Sequence, residues 1–205
     1  PTYRYHLWKR LIAAAYDVDF VGSQTLMYSG NYPHDDFDHD HEGHAGWRID
    51  QVLEHIPGWA ADHRPDIVLV HLGTNDLNED QTVESTITEM DRVIAALRAV
   101  VPRVAVFIAQ ILPCDPARAI VCKPDAYDRY RQEVVKLAAA LDKPDARVIA
   151  VDHFTFIDPA LDLADGLHPN DTGDRKMADR WFEAIRSLLS PQKVSVLLQF
   201  LSPRR

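Results

Sequence analysis

The sequence predicts one α/β domain, a parallel β-sheet held between two layers of helices, on three observations. Nearly unbroken apolar runs at 67–72, 104–109 and 147–151 read as strands buried on both faces. Between and after them, apolar residues recur at helical spacing at about 49–62, 83–100, 126–141 and 171–189, and such alternation implies parallel strands joined by helical crossovers. A chain of 205 residues with 46% hydrophobic residues is long enough for one sizeable core, and nothing in its composition suggests two.

The elements can be taken in order. Tyr5, Leu7, Trp8, Leu11, Ile12 and Ala15 fall at the 3.6-residue period of a helix that opens the chain. Val18 to Val21 reads as a strand running into a turn at Gly22-Ser23. From 31 to 46 the periodicity vanishes in a segment rich in His and Asp, which reads as a long functional or flexible loop. Ile67 to Leu72, Val104 to Ala109 and Arg147 to Val151 are the strands that follow, each after or before one of the helical stretches. In such sheets ligands bind at the carboxyl ends of the strands, so the loops after the strands are the ones to inspect. No internal repeat is present.

Charge and composition narrow the partners. A formal net charge of -9 argues against nucleic acid and against anionic membrane surfaces, since both reward clustered Lys and Arg. A neutral or sugar-like small molecule fits better. No apolar run approaches the span of a membrane helix. The chain starts Pro1-Thr2-Tyr3-Arg4, which is neither an initiator Met nor a signal pattern. Cys114 and Cys122 could close a small loop in an oxidising compartment or stand as two reduced thiols, and the sequence leaves both open.

Two strand-end loops carry polar residues of an unusual kind: Gly73-Thr74-Asn75-Asp76 after the run at 67–72, and Asp165-Gly166-Leu167-His168-Pro169 before the last helix. Upstream of both stands His41-Glu42-Gly43-His44-Ala45-Gly46-Trp47-Arg48-Ile49-Asp50. Taken in chain order, 41–50, 73–76 and 165–169, the three segments resemble the second, third and fifth sequence blocks of the SGNH, or GDSL-like, ester hydrolases. The 41–50 segment is most similar to the branch of acetylxylan esterases in carbohydrate esterase family three. The resemblance covers nearly the whole chain and implies a flavodoxin-like three-layer sandwich.

The chemistry of acyl transfer accounts for these residue types together. His168 offers an imidazole able to take the proton of a serine hydroxyl, and Asp165 can accept a hydrogen bond from its other ring nitrogen and fix the tautomer. The resemblance makes the Asn75 side-chain amide and the Gly46 backbone N–H donors to the developing oxyanion, with Gly43 as the fallback for Gly46. Asp76 is expected to brace its loop through backbone hydrogen bonds. Taken singly, Asn75 could be an ordinary turn residue, and the 165–169 segment a turn plus a helix start capped by Asn170 or Asp171. The resemblance requires no organic cofactor and no metal. The His/Asp-rich loop is read as a solvated acidic loop at the pocket mouth rather than a metal site, because 41–44 is one residue short of the HExxH spacing. Trp47 could stack on a sugar, although a buried aromatic is the commoner outcome.

In the family the nucleophilic serine belongs to a Gly-Asp-Ser block at the end of a first strand, a block absent from this sequence. Gly22-Ser23 occupies the place of the second family strand's end, so Ser23 is not read as the nucleophile. The expected layout is a hydrolase-like domain at 1–190 lacking that first strand, then an extension at 191–205. Within the extension, 194–201 is apolar enough for a buried strand. The leading reading sets this run outside the domain. The alternative puts it into the vacant slot, with Ser202 near the nucleophile position. The function expected is serine-type hydrolysis of small acyl esters, such as O-acetyl groups of carbohydrates, by a chain inactive for want of its nucleophile. The other reading is a catalytically dead module that binds acylated or sugar ligands.

Overall fold

A computed structural model of the protein describes residues 2–27, 30, 33–189, 194–199 and 201–202. In chain order its elements are α1 (Tyr3–Ala13), β1 (Val18–Val21), β2 (His44–Ala45), α2 (Ile49–His63), β3 (Ile67–Val70), α3 (Thr74–Asn78) and α4 (Val83–Val100). There follow β4 (Ala105–Gln110), α5 (Pro124–Leu141), β5 (Val148–Asp152), α6 (Pro159–Asp162), α7 (Asp171–Ile185), β6 (Val194–Gln199) and β7 (Leu201–Ser202). The main sheet has five strands in the order β1-β6-β3-β4-β5, all parallel. A second, two-stranded sheet joins β2 and β7.

The strands form where the apolar runs forecast them, and for the forecast reason. Every residue of β3 and β4 is buried, because helices cover the sheet on both faces. On one face α2 presents Ile49, Val52, Ile56 and Ala60, and α4 presents Met90, Val93, Ile94 and Leu97, against Val68, Val70, Val106 and Ile108. On the other, Leu7 and Leu11 of α1 and Met177, Ala178 and Trp181 of α7 close over Leu69, Phe107 and Phe20. The three-layer α/β architecture is therefore as expected. Helix ends differ by a few residues: α1 starts earlier and stops at Ala13, and Ala15 turns out of it with φ 59°. Thr82 caps α4 by accepting from the Ser85 N–H at 3.1 Å. At α7 the cap is Asn170, whose side chain accepts from the N–H groups of Thr172 and Gly173.

The C-terminal run lies in the centre of the sheet, and the leading reading of it as an extension outside the domain gives way to the alternative. β6 pairs in parallel with β1, Val18 opposite Val194 to Val21 opposite Leu197, and with β3, Ile67 opposite Val196 to Val70 opposite Gln199. Asp66 fixes the entry, its N–H donating to the Ser195 carbonyl and its Oδ2 accepting from the Ser195 N–H, both at 2.9 Å. Val196 faces the α1/α7 side and Leu197 the α2/α4 side, and both are fully buried. The physical reason is the unpaired backbone: without β6 the facing edges of β1 and β3 would each bury N–H and C=O groups lacking partners. Residues 191–193, Phe200 and 203–205 lie outside the described residues.

Candidate active site

Each loop that carries a predicted site residue emerges at the carboxyl edge of the sheet. After β5 the chain runs through α6 into a turn closed by the Ala164 N–H donating to the His168 carbonyl at 2.7 Å. Asp165 organises that turn: Oδ1 accepts from the N–H groups of Leu167 (3.0 Å) and His168 (2.8 Å), and Oδ2 faces His168 Nδ1 at 2.7 Å. Partial burial pushes the Asp165 carboxyl up, but the His168 ring and the two backbone donors outweigh it and hold the group below the usual carboxylate range. An ionised Asp165 makes Nδ1 the protonated nitrogen, so Nε2 is the basic one. Gly166 supports the turn with φ 87°, and a Cβ there would lie 2.6 Å from the Ala119 backbone nitrogen.

Asn75 and Gly46 meet in a second cluster. Asn75, in the first turn of α3, donates from Nδ2 to the Trp47 carbonyl at 2.8 Å, which brings its amide against the 46–47 turn and uses one of its two N–H groups. Gly46 is buried with φ 73°, a conformation open to glycine at little cost. The fallback donor is engaged elsewhere, since the Gly43 N–H donates to His41 Nδ1 at 2.8 Å. His41 is therefore a neutral acceptor at Nδ1, in keeping with burial that lowers it to about 3. Asp76 braces the site from beneath: Oδ1 accepts from the Ile49 N–H at 2.9 Å, tying the loop after β3 to the start of α2. Burial pushes its carboxyl up to about 6.

The 33–46 segment is less solvated than its composition suggests. Asp38 accepts from the Phe20 N–H at 2.9 Å, Arg4 donates to the His39 carbonyl at 3.2 Å, and Phe37, His41 and Glu42 are buried. The reading of an open acidic loop is corrected accordingly, because local apolar and hydrogen-bonded anchors hold it to α1 and β1. Glu42 was not anticipated as a hub. Its carboxylate accepts from Ser23 at both N–H (2.5 Å) and hydroxyl (3.0 Å), with His44 Nε2 at 3.0 Å and His63 Nε2 at 3.7 Å. This engages Ser23 and fixes the short strand before Gly46. Trp47 is partly buried and stacks on His44 at 4.2 Å.

Backbone register brings the last described residues to the same place. β7 pairs in parallel with β2, Leu201 opposite His44 and Ser202 opposite Ala45, so the Ser202 backbone stands opposite the residue that precedes Gly46. Three further groups stand beside the Asp165 turn: Cys114 and Cys122, joined in a disulfide, and Arg118 inside the loop they close, which donates to the Leu163 and Ala164 carbonyls. The carbonyl partners of Arg118 lie 41 to 46 positions along the chain, and for the cysteines, eight residues apart, only the spacing gave any signal.

Comparison with known proteins gives the family and agrees with the fold. The sequence pattern described as the GDSL-like lipase/acylhydrolase family matches residues 3–176. An acetyl esterase mutant crystallised with an acetate ion superposes with a TM-score of 0.82 at 27% identity, over 92% of this chain and 91% of that one. A carbohydrate esterase of family 3 from Talaromyces cellulolyticus gives the same TM-score of 0.82, identity of 27% and coverage of 92% and 91%. In sequence, the chain is 28% identical to a multidomain esterase of Ruminococcus flavefaciens over 192 residues, 84% of this chain. It spans 24% of that relative's length.

Proposed function

This chain belongs to the GDSL-like lipase/acylhydrolase family, whose neighbours here are esterases, and on that footing we propose that it hydrolyses small acyl esters, O-acetyl groups on carbohydrate among them. The observation that carries this reading is the Asp165–His168 pair, 2.7 Å between Oδ2 and Nδ1 with two backbone donors fixing the carboxylate. Such a pair supplies an oriented general base at Nε2. Beside the nucleophile, Gly46 N–H and the second Asn75 amide proton are the donors to the oxyanion.

The steps follow from these groups. A serine Oγ attacks the carbonyl carbon as its proton passes to His168 Nε2, and the charge on the carbonyl oxygen is met by Gly46 and Asn75. Collapse breaks the ester C–O bond, and His168 returns the proton to the leaving alcohol. Water, deprotonated by the same Nε2, then releases the acid. The acetyl and carbohydrate specificity is supported by the acetyl esterase and family 3 carbohydrate esterase likeness. A net charge of -9 agrees with an uncharged substrate. Among the described residues, no helix is long and apolar enough to cross a membrane.

Ser202 is the serine to test first, because its backbone stands opposite Ala45 beside Gly46. Fluorophosphonate labelling with peptide mapping decides the nucleophile. A label at Ser202, with release of acetate from acetylated xylo-oligosaccharides lost in Ser202→Ala, supports a complete site in this chain. Labelling only after a Gly-Asp-Ser segment is joined ahead of Pro1 assigns the nucleophile to that segment. No labelling and no turnover in either form sinks the hydrolase reading and leaves a binding module.

A further inference from the structure

We propose that the loop closed by Cys114–Cys122 is a redox-sensitive brace for the Asp165–His168 pair, with Arg118 as its positioning residue. The inference rests on the acid–base role given to His168 above. The loop leaves β4 at the carboxyl edge of the sheet, and the disulfide joins residues eight apart with Cα atoms 5.7 Å from each other. Inside it the Ala117 N–H donates to Asp115 Oδ1 and the Ala119 N–H to the Asp115 carbonyl, both at 2.9 Å, so 115–119 is a tight turn.

That turn is moulded against the segment bearing the dyad. The Asp115 N–H donates to the Gly166 carbonyl at 2.8 Å. Arg118 reaches across and donates to four carbonyls: Pro159 at 3.4 Å and Ala160 at 3.2 Å through Nη1, Leu163 at 2.9 Å and Ala164 at 2.7 Å through Nη2. The planar fork of a guanidinium suits several carbonyls at once, and a lysine ammonium cannot span them in one plane. Leu163 and Ala164 lead directly into Asp165, and Ala164 also closes the turn onto the His168 carbonyl. Gly166 lies so close that a Cβ would fall 2.8 Å from Arg118 Cβ. The 159–168 segment thus takes its shape from a loop whose own shape is limited by the disulfide. A dithiol reductant, closing to its own disulfide, would deliver two electrons and two protons to Cys114 and Cys122. The freed loop would then release Arg118 and the Gly166 carbonyl.

Histidine ring tautomers read by 15N NMR test this without needing turnover. In the oxidised protein His168 should show the Nδ1–H tautomer that Asp165 enforces. It should shift toward a mixed tautomer in Arg118→Met, in Cys114→Ser/Cys122→Ser and after reduction, while Arg129→Ala, an exposed pair with Glu84, leaves it unchanged. His41, held by Gly43 N–H and the Leu26 carbonyl, reports whether the fold survives. Should Arg118→Met unfold, Arg118→Lys and the reduced wild type serve. In the ester assay the same changes should lower kcat tenfold or more with KM within twofold. A His168 signal unmoved by both reduction and the Arg118 variants overturns the brace. Absence of turnover in both the oxidised wild type and the form with the joined Gly-Asp-Ser segment counts against the hydrolase reading alone, and the NMR comparison still decides the brace.

Discussion

Leu197 offers a quantitative test of the central strand. Its side chain is fully buried among Val68, Val70 and the α2/α4 face, and its backbone pairs with Val21 on one side and Val68 on the other. Leu197→Ala removes buried carbon atoms from a site walled by strands on both sides, where collapse into the space is limited, so a loss of about 2–5 kcal/mol is expected. For a domain of this size each kcal/mol moves the midpoint by roughly 2–4 °C, which gives a fall of about 4–20 °C in thermal unfolding followed by circular dichroism. Leu161, exposed at 72%, is the control, and Leu161→Ala should stay within about 0.5 kcal/mol of wild type. A Leu197→Ala protein that unfolds together with the control would refute placement of this run in the sheet.

Other outcomes follow from the site. Asp76, raised by burial to about 6 against roughly 3.9 in the unfolded chain, contributes stability that is complete below the unfolded value and is lost as pH rises to 6. At about 1.4 kcal/mol per unit this comes to about 3 kcal/mol. Asp76→Asn keeps an acceptor for the Ile49 N–H, so in urea titrations it should be more stable than wild type at pH 8 and no more stable at pH 4. A difference independent of pH would contradict the assignment. Asn75→Ala should lower kcat by about 10²–10³-fold with a small change in KM, as loss of an oxyanion donor does. A change confined to KM would remove Asn75 from that role. Gly166→Ala should lose activity and stability together, because the new Cβ meets the Ala119 backbone nitrogen at 2.6 Å, and wild-type behaviour would show the turn to be more yielding than described.

The layered fold was legible because β3 and β4 are buried on both faces, which leaves an unbroken apolar run as the only composition that fits. The end of α1 was not: Ala14 and Ala15 extend the apolar pattern, yet the chain turns at Ala15 with φ 59°. For 194–199, hydrophobicity announced burial, but the position between β1 and β3 depends on unpaired backbone edges that no local pattern records. Asp165 and His168 could be paired from sequence since three residues on one turn suffice. Arg118 could not, with its carbonyl partners 41 to 46 positions away, and neither could Glu42, whose bond to Ser23 spans 19. The two cysteines were an even choice until their Cα atoms were found 5.7 Å apart in a bond.

The most direct measurement is acetate release from acetylated xylo-oligosaccharides by the wild-type protein and by His168→Ala at matched concentration. Turnover by the wild type, reduced about 10³-fold or more in His168→Ala, is the expected result. Acetate release that persists undiminished in His168→Ala, or none from either the wild type or the form with a Gly-Asp-Ser segment joined ahead of Pro1, would contradict acyl transfer through the Asp165–His168 pair.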